Sequence, residues 1–454
     1  LVVAWWAWPG ITPPDSEHMI GQARAGLAGD WHSPALVHLW GWLLSVTGST
    51  GSLLLIQLLP YWAGFGWLAA TVQRDRPGAG WLVLLVAVFP LSIWLSRYVL
   101  KDVAMQSVMV LAMAAMATHL ARQDQGQAGR WRLVLAVVAL VAASFMRVNT
   151  AFAVGPLLAG LVLGSRWCTV ARMSILALPA AALVLGSVLM INQTLLVKRS
   201  EDPMQQLQLF DLLGIQRFSG DEGVWGRYDV RVADARHCYS AFHWDTLASW
   251  GRCSHLRKRM GATPEGRFGE ADIAERGRLW RQAILAHPGS YLEHRLRHLN
   301  SSLSFAVPAL HVRFEMQAAE GVIRQEPLPT ARDVRLDYVK RNVLTWPATW
   351  LAIALACLAL LVRIRPVGWR DRLAVLLFVS GAAYSLAYGV IGVASQPRYH
   401  LWTLNATMLG VLLAWPTLRS IAQNQPHAAR WGAGAVAVVV LIGLASRLWD
   451  VPFI

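Results

Sequence analysis

The segment KDVAMQSVMVLAMAAMATHLA, Lys101–Ala121, decides the fold class. An oppositely charged pair, Lys101-Asp102, opens it, and from Val103 to Ala121 no acidic or basic side chain follows except His119. At about 1.5 Å per helical residue such a run covers most of a ~30 Å hydrocarbon layer. Outward from it, apolar runs recur at about 51–72, 80–97, 132–146, 149–165, 173–195, 345–362, 372–392, 399–418 and 431–447. The chain therefore reads as an all-α polytopic membrane protein with about ten or eleven transmembrane helices. Composition points the same way: 15% of the residues are charged, where a soluble domain carries roughly a quarter. The apolar start, Leu1–Trp8, is too short to span. It reads as the tail of a truncated first helix or as an unusual beginning, rather than as a cleaved signal peptide.

The net charge of +15 points to membrane orientation rather than nucleic acid, because the arginines sit at the ends of apolar runs. One set of loops holds Arg74 and Arg76; Arg122, Arg130 and Arg132; Arg166 and Arg172; Arg363, Arg365, Arg370 and Arg372; Arg419 and Arg430. These are expected to be cytoplasmic, in a bacterial inner or plasma membrane. The other face then receives a first loop with an interfacial helix over 35–46, several short loops, and a long polar stretch over 196–342. Domain expectations follow: 1–195 as an N-terminal transmembrane module with a catalytic outer loop at 9–50, 196–342 as a mainly helical extracytoplasmic domain, and 343–454 as C-terminal transmembrane helices. Within the outer domain, 271–286 and 291–303 show helical periodicity. Cys238 and Cys253 are expected to form a disulfide in an oxidising compartment, worth roughly 3 kcal/mol in the chain-entropy model. Cys168 and Cys357 read as packing residues, and no histidine spacing in the outer domain matches a zinc pattern.

Ionisable groups at span ends are costly unless paired or used, and on this chain they gather on the expected outer face. The first outer loop carries Asp15, Glu17, Asp30 and His32; the next carries Arg97, Lys101 and Asp102; the third Arg147; the last Arg398, Tyr399 and His400. Each has a structural reading. Asp15 and Asp30 could cap helices, Lys101-Asp102 could be a helix-end pair, and Arg147 and Arg398 could reach to headgroups. Together they suit a reaction in which a carboxylate deprotonates an acceptor while cations hold a phosphate leaving group.

An early outer loop with Asp15 and Glu17, an interfacial helix, a second outer loop with Lys101-Asp102 and a late Arg398-Tyr399 resemble the GT-C class of membrane glycosyltransferases. That class includes protein mannosyltransferases, aminoarabinose transferases and oligosaccharyltransferases. It places its catalytic acid in the first outer loop, the position Asp15 matches. Where protein mannosyltransferases carry adjacent Asp and Glu, this chain reads Asp15-Ser16-Glu17.

The resemblance implies a GT-C-like bundle and an inverting transfer from a polyprenyl-phosphate-linked sugar to a glycan, lipid or protein acceptor. Membrane lipids would be partners and nucleic acid would not. Asp15 would be the base, with Glu17 as second choice or as a helper through a divalent cation; no other cofactor or metal site is implied. Arg97, Lys101, Arg147 and Arg398 would hold the phosphate, with Tyr399 beside them. Asp30, His32, Asp102 and His400 would shape the sugar site. A polysaccharide polymerase or ligase and a transporter are the competing classes. The first should have its main outer loop in the second half, and the second should carry charges deep within spans.

Overall fold

A computed structural model describes residues 2–127, 129–167, 170–197, 201–263, 268–308, 342–363 and 368–449. Residues 309–341 of the expected outer domain lie outside them, as do Cys168, Arg365 and the side chains of Arg166 and Arg172. Among the described residues the protein is all-helical and has no strands, only two isolated bridges. In chain order the helices are α1 (Val2–Ala7), α2 (Pro14–Ala25), α3 (Pro34–Thr47), α4 (Gly51–Asp75), α5 (Gly80–Ala87), α6 (Pro90–Ser96), α7 (Lys101–Asp124), α8 (Arg130–Met146), α9 (Ala151–Trp167), α10 (Val170–Thr194), α11 (Met204–Ser219), α12 (Val232–Cys238), α13 (Ser254–Arg259), α14 (Glu270–Ala286), α15 (Pro288–Ser302), α16 (Pro347–Leu361), α17 (Trp369–Ile391), α18 (Leu401–Asn424) and α19 (Pro426–Leu448). The described residues fall into two compact units. One comprises 2–197, 342–385 and 397–441; the other comprises 201–308, 386–396 and 442–449.

Among the described residues six helical segments are long and apolar enough to cross a membrane: α4, α7, α10, α17, α18 with the 3-10 turn before it, and α19. Ten or eleven spans were expected. Every expected run is helical, and α8 and α9, with 17 residues each, and α16, with 15, are the shorter apolar helices, near the lower limit of spanning length. The run at 80–97 is a correction of a different kind. It is not one helix: Pro90 starts a new one, and the chain breaks at Val88 and Phe89. Tyr61 of α4 donates its hydroxyl to the Ala87 carbonyl at 2.6 Å. A freed backbone carbonyl at this depth is thereby satisfied from a neighbouring helix.

In the first unit α7 is central and α19 peripheral: 94% of the apolar window of α7 is buried, against 6% for α19. The alanines and methionines of α7 let α4 approach closely. A Cβ added to Gly64 would lie 2.7 Å from the backbone nitrogen of Leu111, and Thr71 and Thr118 share a 3.0 Å hydrogen bond across the same seam. Small residues of this kind drive helix association where burial from water cannot. The two ends of α7 differ in chemistry. At its C-terminal end Asp124 pairs with Arg372 and accepts from the Trp369 amide at 2.8 Å, while Arg370 pairs with Asp75 of α4 at 3.0 Å. At its N-terminal end Gln57, near the start of α4, donates to the carbonyls of Ser96 and Tyr98 at 3.2 and 2.7 Å. The helices α4 and α7 therefore run parallel, and the broken pair α5–α6 returns the chain between their opposite ends.

The second unit is organised around α11. Asp211, fully buried, receives the Trp280 indole N–H at 2.8 Å, pairs with Arg295 and lies 3.1 Å from His294. His294 in turn contacts the Tyr239 hydroxyl at 3.1 Å. Arg295 donates to the Gly392 carbonyl at 2.7 Å, and Trp244 donates its amide to Val393 at 2.9 Å, so 386–396 is held within this unit. Cys238 and Cys253 form a disulfide with a Cα–Cα distance of 5.9 Å. The expected helices at 271–286 and 291–303 are Glu270–Ala286 and Pro288–Ser302.

Two outcomes test this description. Gly64→Val overpacks the α4–α7 seam, at a cost of about 1–3 kcal/mol, read as a lower melting temperature of the intact protein in detergent. Acid should weaken the second unit. Burial, reinforced by the Arg295 charge, pushes His298 down to about 3, and burial also lowers His294. An unfolded histidine titrates near about 6.5, so between those values only the unfolded chain binds the proton, and stability falls as pH falls. At pH 5 His298 alone should cost about 2 kcal/mol. The loss would appear as reduced amide-exchange protection of Met204–Ser219 after correction for intrinsic rates.

Candidate active site

Asp15 stands in the first turn of α2 because Pro14 sets the helical φ at its start and the amides of Ser16 and Glu17 close on the Pro13 carbonyl at 2.8 and 3.0 Å. The strip before it is docked by backbone pairing. Ile11 donates to the Arg97 carbonyl at 3.0 Å and accepts from the Val99 amide at 2.9 Å. Gly10 permits this approach: its φ is +97°, and a Cβ there would sit 2.6 Å from Val99 Cγ2. Ser16 adds a hydrogen bond from its hydroxyl to the Val99 carbonyl. Gln57 holds the same 96–100 segment from the other side, and its carbonyl accepts from the Leu100 amide at 3.4 Å. The result places Asp15 beside the start of α7.

Three further segments converge there. Arg398, in the 3-10 turn before α18, donates to Asp15 Oδ2 at 3.1 Å and to the Tyr399 hydroxyl at 3.3 Å, and its Nε lies 3.9 Å from Asp102 Oδ2. Arg147, at the end of α8, pairs with Asp102 Oδ1 and lies over the Tyr399 ring at 4.5 Å. Lys101 Nζ donates to His32 Nδ1 at 2.9 Å, and the His32 ring lies 5.3 Å from that of His18. Loop 28–38, which carries His32, is anchored by α10. Asn192 accepts from Ser33 Oγ and the Ala35 amide, both at 3.2 Å, His38 Nε2 bonds to the Leu195 carbonyl at 2.9 Å, and the Val197 amide donates to Ala28 at 3.1 Å.

Seven residues singled out in the sequence are thus brought together: Asp15, His32, Lys101, Asp102, Arg147, Arg398 and Tyr399. The others lie differently. Arg97 is stacked over Trp6 at 4.5 Å, a ring its sequence neighbours do not announce. Glu17 is exposed and accepts from Thr12 Oγ1 at 3.1 Å. His400 is buried, with its Nδ1 2.8 Å from the Ser385 hydroxyl. Asp30 is half-buried at the head of the His32 loop. A residue not anticipated is Gln106, one turn further along α7 than Asp102. It is 1% exposed, with neither amide atom in a hydrogen bond among the described residues. A lone amide inside an apolar run was its signal in the sequence.

The electrostatics of the cluster are lopsided. Two carboxylates, Asp15 and Asp102, face three cations, Lys101, Arg147 and Arg398, so an anion is the charge this site lacks. Burial pushes the Asp15 carboxyl up, but Arg398, Lys101 and Arg147 outweigh it and hold it well below the usual carboxylate range. Burial, with the Lys101 ammonium next, drives His32 down, leaving it neutral at pH 7. A neutral imidazole that accepts at Nδ1 carries its proton on Nε2, ready to donate to a hydroxyl or phosphate oxygen.

No trio of His, Cys, Asp or Glu side chains that could hold a metal is gathered among the described residues. Asp15 and Asp102 are each neutralised by arginine and Glu17 points elsewhere, so the residues do not fit the divalent cation that the resemblance allows, and no step is routed through one. No protein-family model, curated protein or solved structure matches the chain.

The two carboxylates should differ sharply on removal. Asp102→Ala strands two guanidinium groups beside a buried hole, a loss of about 3–5 kcal/mol by analogy with broken buried pairs. Asp15, whose side chain is 45% exposed, should tolerate Asn with under about 1 kcal/mol lost. Melting temperatures of the two variants in the same detergent provide the comparison.

Proposed function

We propose that the protein is a membrane glycosyltransferase that moves a sugar from a polyprenyl-phosphate-linked donor to a glycan, lipid or protein acceptor on the outer face of the membrane. The observation that carries this reading is the three-cation, two-carboxylate cluster at the opposite end of α7 from the arginines at 370 and 372. A phosphate tethered to a membrane lipid meets the protein at the ends of apolar helices, and the surplus cation matches its charge. The arginine-rich end would face the cytoplasm by the positive-inside rule, leaving the cluster on the outer side. The Cys238–Cys253 disulfide favours an oxidising compartment for the second unit.

In the reaction the acceptor oxygen attacks the anomeric carbon from the side opposite the phosphate, so configuration inverts. The new carbon–oxygen bond forms as the bond to the phosphate oxygen breaks, and the electron pair leaves with the phosphate. Asp15 takes the proton from the acceptor hydroxyl. Arg398, Arg147 and Lys101 receive the growing phosphate charge, and His32 Nε2–H and Tyr399 hold oxygens of the donor.

Asp15→Asn keeps the shape of the side chain while removing its charge and its ability to take a proton. It should lower transfer from a polyprenyl-phosphoryl sugar by about 10²–10⁴-fold in liposomes, with expression and melting temperature preserved. Arg398→Ala should raise the donor concentration needed for turnover. Near-normal turnover in Asp15→Asn would remove Asp15 as the base, and normal turnover in Asn or Gln variants at 15, 17 and 30 alike would leave the reading without one.

A further inference from the structure

Arg398 is shared unequally between two carboxylates. Asp102 is 1% exposed, lies at the root of α7 and is also paired to Arg147. Asp15 is 45% exposed, has Arg398 as its one hydrogen-bonded cation among the described residues, and projects from the first turn of a helix that is largely polar. The Arg398 side chain itself is only 10% exposed, and its Nη2 carries both Asp15 and the Tyr399 hydroxyl. Asp15 therefore stands where an incoming anion would meet Nη2 of that guanidinium. Lys101 offers no obstacle, since its partner is the neutral His32 ring rather than a carboxylate.

We propose that Asp15 is the exchangeable counter-ion of Arg398: it occupies the donor-phosphate position while the site is empty, and the arriving phosphate displaces it. This deepens the glycosyltransferase reading and rests on it. A carboxylate bound to a guanidinium is a poor base, because removing its positive partner is part of accepting a proton. Displaced, Asp15 exchanges an arginine for a neighbouring anion, and both changes favour its protonated form. The base thus becomes competent only when the donor is seated, which couples proton transfer to donor occupancy. The groups facing Asp15 are Arg398 and Tyr399 before α18, Lys101 and Asp102 on α7, Arg147 from α8 and His32 from the loop. His18 and Glu17 are its neighbours on α2.

The test uses the full chain in detergent micelles and a short isoprenyl phosphate methyl diester, whose single charge does not change with pH. Calorimetry in buffers of different ionisation enthalpy gives affinity and proton uptake together. Exchange predicts uptake of a fraction of a proton per diester bound at about pH 4–5, where a carboxyl freed of its guanidinium titrates, and none at about pH 7, where Asp15 stays ionised as a base must. It also predicts binding about tenfold or more tighter in Asp15→Asn, with uptake abolished, and at least about tenfold weaker in Arg398→Gln. Binding without uptake at the lower pH in the wild type means that Asp15 keeps its arginine and overturns the exchange, while leaving the phosphate site standing. Uptake that persists in Asp15→Asn assigns the proton to His32 and also overturns it. No diester binding in folded wild-type protein would sink both the exchange and the glycosyltransferase reading.

Discussion

Asp102, at the first turn of α7, has 1% of its side chain exposed and receives Arg147 from the end of α8 and Arg398 from the turn before α18. A charge at such depth is retained only when its partners come to it. Here that requirement ties the ends of three helices together. The Gly10–Val99 strip and Gln57 then fix α2 against the same corner. Asp102 pairs with Arg147, and Arg398 Nε lies 3.9 Å from its Oδ2; with Lys101 and Asp15 beside them, three cations stand against two carboxylates. The pairing of Asp102 and the proposed anion site are in this sense the same arrangement.

At the opposite end of α7, Asp124 and Asp75 are paired with Arg372 and Arg370, and the backbone amide of Trp369 donates to Asp124. In the second unit, Asp211, His294 and Arg295 form a further buried polar group. It is joined by Trp280, Tyr239 and the Gly392 carbonyl, and it reads as a scaffold that holds 386–396.

Much of this was legible in the sequence. The helices follow from apolar runs, because a spanning segment must carry its apolar character all round and for a minimum length. The six long ones satisfy both conditions, while 132–146, 149–165 and 345–362 are apolar but lie near the lower limit of spanning length. The break within 80–97 was signalled by Pro90, yet the Tyr61 hydroxyl that stabilises it comes from another helix. Asp15, Lys101, Asp102, Arg147 and Arg398 were recognisable because charge at a span end is costly and they come from four separate loops. Arg97 has the same sequence signature but stacks on Trp6, a choice that depends on tertiary contacts. Gln106 and Gln57 were less legible because an amide inside an apolar run alters the hydropathy little; Gln57 nevertheless holds the 96–100 segment through three hydrogen bonds.

The central claim is that the Asp102 end of α7 is where a lipid-borne phosphate binds. Electron cryomicroscopy of the protein in nanodiscs with a non-transferable polyprenyl-phosphoryl sugar analogue would locate the phosphate directly. The account predicts phosphate density within hydrogen-bond reach of Arg398 and of Arg147 or Lys101. Phosphate density at the Arg370–Arg372 end, or an analogue bound away from Arg398, would contradict it.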